Sequence, residues 1–116
     1  MEYINVDGLG KAGPYAHAVA TGDMLFISGM IGEGSTISEQ LVSAFSKVDK
    51  VLASKGMDRG NIVKVTVYLS ESRLFSEMNE EYSRLFAGKK PARTTIIAMP
   101  PVSGALLEVE VIASNR

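Results

Sequence analysis

The chain has 116 residues, 46% hydrophobic and 22% charged, a balance that excludes a disordered chain and a length that suggests one domain. Twelve basic and thirteen acidic side chains leave a net charge of −1, which gives no electrostatic reason to expect nucleic acid, whose binding rests on phosphate neutralisation. With no cysteine and one histidine, His17, disulfides, thiolate nucleophiles and Cys- or His-rich metal sites are excluded.

The first residues, Met1 to Asp7, carry no apolar core of signal-peptide type, and no apolar run approaches the ~18 residues of a membrane span. The expectation is a soluble, cytoplasmic protein with no membrane partner. Tyr3 to Val6 reads as a short strand. Asp7 to Pro14 holds three glycines and a proline and reads as a loop. A strand from Tyr15 to Ala20 follows, then a tight turn at Thr21-Gly22-Asp23. Met24-Leu25-Phe26-Ile27 is apolar at every position, the pattern of a strand covered on both faces. Ser28-Gly29 and a loop through Gly32 and Gly34 come next.

Thr36 and Glu39 fit a capping box. Behind it Ile37, Leu41, Ala44, Phe45, Val48, Val51 and Leu52 form one apolar stripe at helical period, and Gly56 fits the C′ position. After a turn at Asp58-Arg59-Gly60, residues 62–69 alternate, with Val63, Val65, Val67 and Leu69 on one face and Lys64, Thr66 and Tyr68 on the other. A second helix starts near Ser70 or Ser72 and runs to about Phe86, with Phe75, Met78, Tyr82, Leu85 and Phe86 as its stripe. Asn79 lies beside that stripe, where a buried amide needs partners. Gly88 to Pro91 form a turn. The β-branched run Thr94-Thr95-Ile96-Ile97 reads as a strand with Arg93 at its entrance. The last strand, about Leu106 to Ala113, puts Leu107, Val109, Val111 and Ala113 on one face and Leu106, Glu108, Glu110 and Ile112 on the other.

The order β-β-β-α-β-α-β-β, with two amphipathic helices, makes a two-layer α+β domain whose helices cover one sheet face. The other face keeps apolar residues and suggests that subunits pack there. Arg93, on a rigid element behind a proline, suits bidentate capture of a planar carboxylate; read by itself, the simpler reading is an exposed Arg of small energetic value. Glu108 by itself reads as a strand carboxylate paired with a Lys, Tyr15 as a core aromatic and Ser28 as a turn residue. Asn79 reads as a brace for the Arg93 loop, and His17 as a packed, hydrogen-bonded side chain.

Five stretches occur in order: Gly13-Pro14-Tyr15, Ile27-Ser28-Gly29, Asn79-Glu80-Glu81-Tyr82, Pro91-Ala92-Arg93-Thr94 and Gly104-Ala105-Leu106-Leu107-Glu108-Val109-Glu110. Together they resemble the RidA (YjgF) family, also called the reactive intermediate deaminase or endoribonuclease L-PSP family, from about Gly13 to Ala113. The resemblance implies a chorismate-mutase-like two-layer subunit, with a mixed sheet and two helices on one face. It also implies a homotrimer with clefts between subunits, no cofactor and no metal. The implied activity is hydrolysis of 2-imino acids such as 2-iminopropanoate and 2-iminobutanoate, released by pyridoxal-phosphate enzymes, to 2-oxo acids and ammonia. By motif, Arg93 matches the Arg that holds the substrate carboxylate and Glu108 the acid/base residue. Tyr15, Ser28, Asn79 and Thr95 match positions lining the cleft. Thr95 stands where many members have Cys, Met30 where many have Gln, and Ala16 where many have Ser; these departures bear on substrate choice. The family also carries a ribonuclease and translation-inhibitor reading, which the acidic pI and the lack of an aromatic-basic stripe oppose. A third reading is a non-catalytic trimer that binds small ligands in the same clefts.

Overall fold

The computed structural model describes residues 1–116. Six strands and two helices follow one another in the expected order: β1 (Glu2–Ile4), β2 (Ala18–Thr21), β3 (Met24–Met30), α1 (Ile37–Ala53), β4 (Ile62–Leu69), α2 (Phe75–Leu85), β5 (Ala92–Ile97) and β6 (Leu107–Ser114). They build one mixed sheet in the order β1-β2-β3-β6-β4-β5. Only β4 and β5 run parallel, because α2 carries the chain back between them. The last strand therefore enters the middle of the sheet, between β3 and β4.

The capping box at α1 is complete: Thr36 Oγ1 accepts from Glu39 N at 3.1 Å, and Glu39 Oε1 receives Thr36 N. At the other end Gly56 takes φ +67°, while Gly56 N donates to Ala53 O and Met57 N to Leu52 O. This is the helix stop that a residue without Cβ permits. The apolar stripe of α1 packs on the inner sheet face, where Leu25, Val65, Val67, Leu107 and Val109 are fully buried. Phe45, Tyr82 and Phe86 join the helices through edge-to-face rings, with Phe45 centroids at 6.1 and 5.3 Å from the other two. Burying a ring such as Phe45 contributes about 1.5–3 kcal/mol.

The structure departs from simple alternation at three places. Between Ile62 and Lys64 the β4–β6 register shifts, so Val63 is the extra residue of a bulge and turns to solvent while Ile62 enters the core. Strand β3 continues through Ser28 and Gly29 to Met30, with a second irregularity between Ile27 and Met30. Tyr15 and Ala16 lie ahead of β2 rather than in it. On the outer sheet face, Val19, Phe26 and Ile112 pair across three strands with no helix above them. Phe26, expected to be covered on both faces, is 45% exposed in the single chain. No helix is long and apolar enough to cross a membrane.

Candidate functional site

Arg93 is the second residue of β5, opposite Val65 of β4. Val65 points into the core, so Arg93 and, at period two, Thr95 and Ile97 face the helix layer. There α2 forms a bed for the guanidinium. Arg93 Nη2 donates to Asn79 Oδ1 at 2.8 Å, and the guanidinium carbon lies 4.7 Å from the Tyr82 ring centroid and 5.8 Å from that of Phe75. Each cation–π contact of this kind contributes about 0.5–1 kcal/mol where exposed and more where desolvated. Residues 75, 79 and 82 recur at helical spacing on one face, which is why one short helix supplies all three. Asn79 is thus a brace for Arg93, as its place beside the stripe suggested.

Ser72, Phe75, Arg93, Thr95 and Ile97 line an open groove of ≈ 500 Å³. Its lining supplies a cation with unspent donors, two hydroxyls from Ser72 and Thr95, and apolar surface from Phe75 and Ile97. That chemistry suits a small carboxylate with an apolar tail. Beneath it, Tyr82 is held in a dry environment: its hydroxyl has no hydrogen-bond partner, and burial pushes its pKa up to about 12, so it stays a neutral phenol under Arg93.

Glu108 belongs to a different surface. It pairs in register with Tyr68, between the inward-facing Leu107 and Val109, and so points to the outer face. Its carboxyl packs on Gly29, where any Cβ would overlap Glu108 Oε2 and sit 2.8 Å from Cδ. Burial, helped by the nearby Glu110 charge, raises the Glu108 pKa above the ordinary carboxylate value. Glu110 shares that face but is tied down: Tyr68 Oη donates to Glu110 Oε1 at 2.6 Å, which in turn raises the Tyr68 pKa. Of the two carboxylates, Glu108 is the one whose oxygens have no hydrogen-bond partner in the chain.

Ser28 lies next to Gly29 in the β3 bulge. Its Oγ donates to Ala16 O at 2.7 Å and its N to His17 O at 2.9 Å, so its hydroxyl proton is spent on the backbone. Tyr15 follows the glycine loop, and its Oη accepts from Ala12 N at 2.9 Å; its ring is 40% exposed, not part of the core. His17 is 2% exposed, with Nδ1 accepting from Val6 N at 2.8 Å and Nε2 3.2 Å from Gly10 O. It is the structural histidine expected.

The fold therefore gathers Arg93, Asn79 and Thr95 in one place and sets Glu108 beside the Ser28–Gly29 bulge in another, with the sheet between the Arg93 and Glu108 side chains. One copy of the chain does not bring these two together. The 75-79-82 spacing is the sequence signal for the aromatic bed under Arg93, while the Gly29 cradle for Glu108 has none without the β3–β6 pairing.

A family model described as endoribonuclease L-PSP matches residues 7–115. A RutC family protein of Aquifex aeolicus is 39% identical over 110 residues, 87% of this chain and 88% of that protein. The human 2-iminobutanoate/2-iminopropanoate deaminase is 33% identical over 114 residues, 90% of this chain and 82% of that one. The crystal structure of the YjgF gene product of E. coli shares the fold at TM-score 0.92 over 100% of both chains, at 24% identity. With the family model spanning nearly all of it and the same mixed sheet and paired helices, the chain belongs to the RidA/YjgF (endoribonuclease L-PSP) family.

Proposed function

We propose that this protein hydrolyses 2-imino acids and their enamine tautomers to 2-oxo acids and ammonia, in clefts between neighbouring subunits of a homotrimer. The observation that carries the reading is the pair of half-sites: a braced, cationic Arg93 on one face and a half-buried Glu108 with raised proton affinity on the other. Two copies can bring the two together; one cannot. The outer face, with exposed Phe26 and Ile96, gives the copies an apolar surface to share. The human relative is named for this reaction.

In this reading Arg93 takes the substrate carboxylate through two parallel hydrogen bonds, with Asn79 and Tyr82 fixing the guanidinium. Glu108 of the adjoining copy accepts a proton from water as the oxygen attacks the imine carbon. With the substrate bound as its iminium, the C=N π pair moves to nitrogen and gives a neutral tetrahedral amino alcohol. Glu108 then passes the water's proton to that nitrogen, the C–N bond breaks with its electron pair leaving on ammonia, the hydroxyl oxygen forms the C=O bond of the 2-oxo acid, and its proton returns to Glu108 and from there to solvent. A carboxyl with elevated pKa suits both directions of that transfer. The test is a coupled assay: a dehydratase generates the imine from serine or threonine, and imine loss is followed with and without this protein. A ligand-binding protein of the same shape would hold 2-oxo acids on Arg93 without accelerating that loss.

A further inference from the structure

Helix α1 carries one buried amide in its apolar stripe. Gln40 is 4% exposed, and its polar atoms are spent on two loops. Nε2 donates to Gly34 O at 3.0 Å and Gly104 O at 3.1 Å, and Oε1 accepts from Leu106 N at 2.8 Å. Gly34 lies on the loop that leaves β3; Gly104 and Leu106 lie on the segment that enters β6. A buried amide costs free energy unless its groups are paired, and here the pairing joins precisely two segments that no ladder joins.

Those segments bracket Glu108. Leu106 precedes it by two residues, and its carboxyl rests on Gly29 near the end of β3. The β3–β6 ladder shifts register between Ile27 and Met30 and resumes at Met30 opposite Val109, so Gly29, the residue under the Glu108 carboxyl, lies in the stretch where regular pairing is interrupted. We propose that Gln40 is the positioning residue of Glu108: by tying Gly34 to Gly104 and Leu106, it sets the distance between the bulged end of β3 and the entrance of β6, and with it the seat of the Glu108 carboxyl over Gly29. The catalytic consequence rests on Glu108 acting as acid and base in the reaction proposed above.

The test uses Gln40→Glu and Gln40→Leu in the assembled protein. Gln40→Glu keeps the side-chain shape and the acceptor for Leu106 N but loses the donor to both carbonyls; Gln40→Leu loses all three bonds. Two quantities are read: steady-state kinetics, and the titration of Glu108 by carbon NMR of labelled carboxyls, assigned with Glu108→Gln. A misplaced acid/base should lower kcat by about 10- to 100-fold. KM should stay within about threefold, because Arg93 stands on β5, away from the tie. The Glu108 titration midpoint should move in both variants. Asp58→Ala is the control; it removes the side chain that accepts from Gly60 N at 2.8 Å at the far end of β4, and should lower the melting temperature with kcat and the Glu108 titration unchanged. Folded Gln40 variants with wild-type kcat and an unmoved Glu108 titration would overturn the proposal. So would kcat losses that track melting temperature as in the control. If Gln40→Leu does not fold, Gln40→Glu carries the test. A wild-type protein without imine turnover, in which Gln40→Glu still moves the Glu108 titration, would refute the catalytic reading and leave the positioning intact.

Discussion

Mixing two inactive variants tests the shared cleft directly. Arg93 faces the helices and Glu108 the opposite side of the sheet, so in the proposed reading a working cleft takes Arg93 from one copy and Glu108 from the next. In Arg93→Ala every cleft lacks its cation; in Glu108→Gln every cleft lacks its base. When the two are co-produced in equal amounts and assort at random around a ring, a cleft is intact when an Arg-bearing copy precedes a Glu-bearing one. The chance of that is one half times one half, so about a quarter of wild-type activity returns. Loss of a general acid/base alone costs about 10²- to 10⁴-fold, so the mixture should exceed the Glu108→Gln parent by about 25-fold or more. The assay is imine loss by the whole co-produced population, without fractionation; a different affinity tag on each variant verifies that mixed oligomers form. The companion mixture, wild type with the double variant, should retain about a quarter of the clefts if they are shared, against about a half if each chain works alone. No recovery in the first mixture and one half in the second would refute the shared site.

Arg93→Ala should abolish turnover and 2-oxo-acid binding with the fold kept, and Arg93→Lys should fail as well, because an ammonium cannot reproduce the two-pronged contact; kinetics and circular dichroism check both. Gly29→Ala should cost little stability, since the added Cβ meets the movable end of the Glu108 side chain, yet cut turnover by about 10²-fold; Gly32→Ala meets backbone instead, with Ala44 N at 2.6 Å, and should be poorly folded on melting. Glu108 must be ionised to act as base, and its pKa is raised by burial and then by Glu110, so the rate should fall with decreasing pH sooner than an ordinary carboxylate would dictate; Glu110→Gln should keep turnover and move that limb to lower pH. The same raised pKa gives a stability contribution that is present below the unfolded-state value and lost as pH rises through the folded one; Glu108→Gln should lack this slope between the ordinary carboxylate range and the raised value, seen as a difference in melting curves against pH.

Much of the architecture was legible along the chain because it depends on local periodicity. The capping box at Thr36, the stripe of α1, the stop at Gly56 and the two faces of β6 each follow from spacings of three, four or two residues, and the structure has all of them. The ordered motifs pointed to Arg93 and Glu108 as the residues whose placement matters. Pairing between distant segments is where local pattern ends. The bulges at Val63 and at Ser28–Gly29 arise from how β3 and β4 meet β6, residues far apart in sequence, and a one-residue offset reverses which side chains are inside. The same cause put Tyr15 outside its strand and committed the Ser28 hydroxyl to Ala16. Arg93 and Glu108 each follow a readable pleat, but only the parallel pairing of β4 with β5 and the insertion of β6 beside β4 set them on opposite faces. Sequence by itself determined which residues carry charge and which elements carry them; the tertiary structure decided that they face apart, because side-chain direction in a sheet is a property of the register between strands and not of any strand alone.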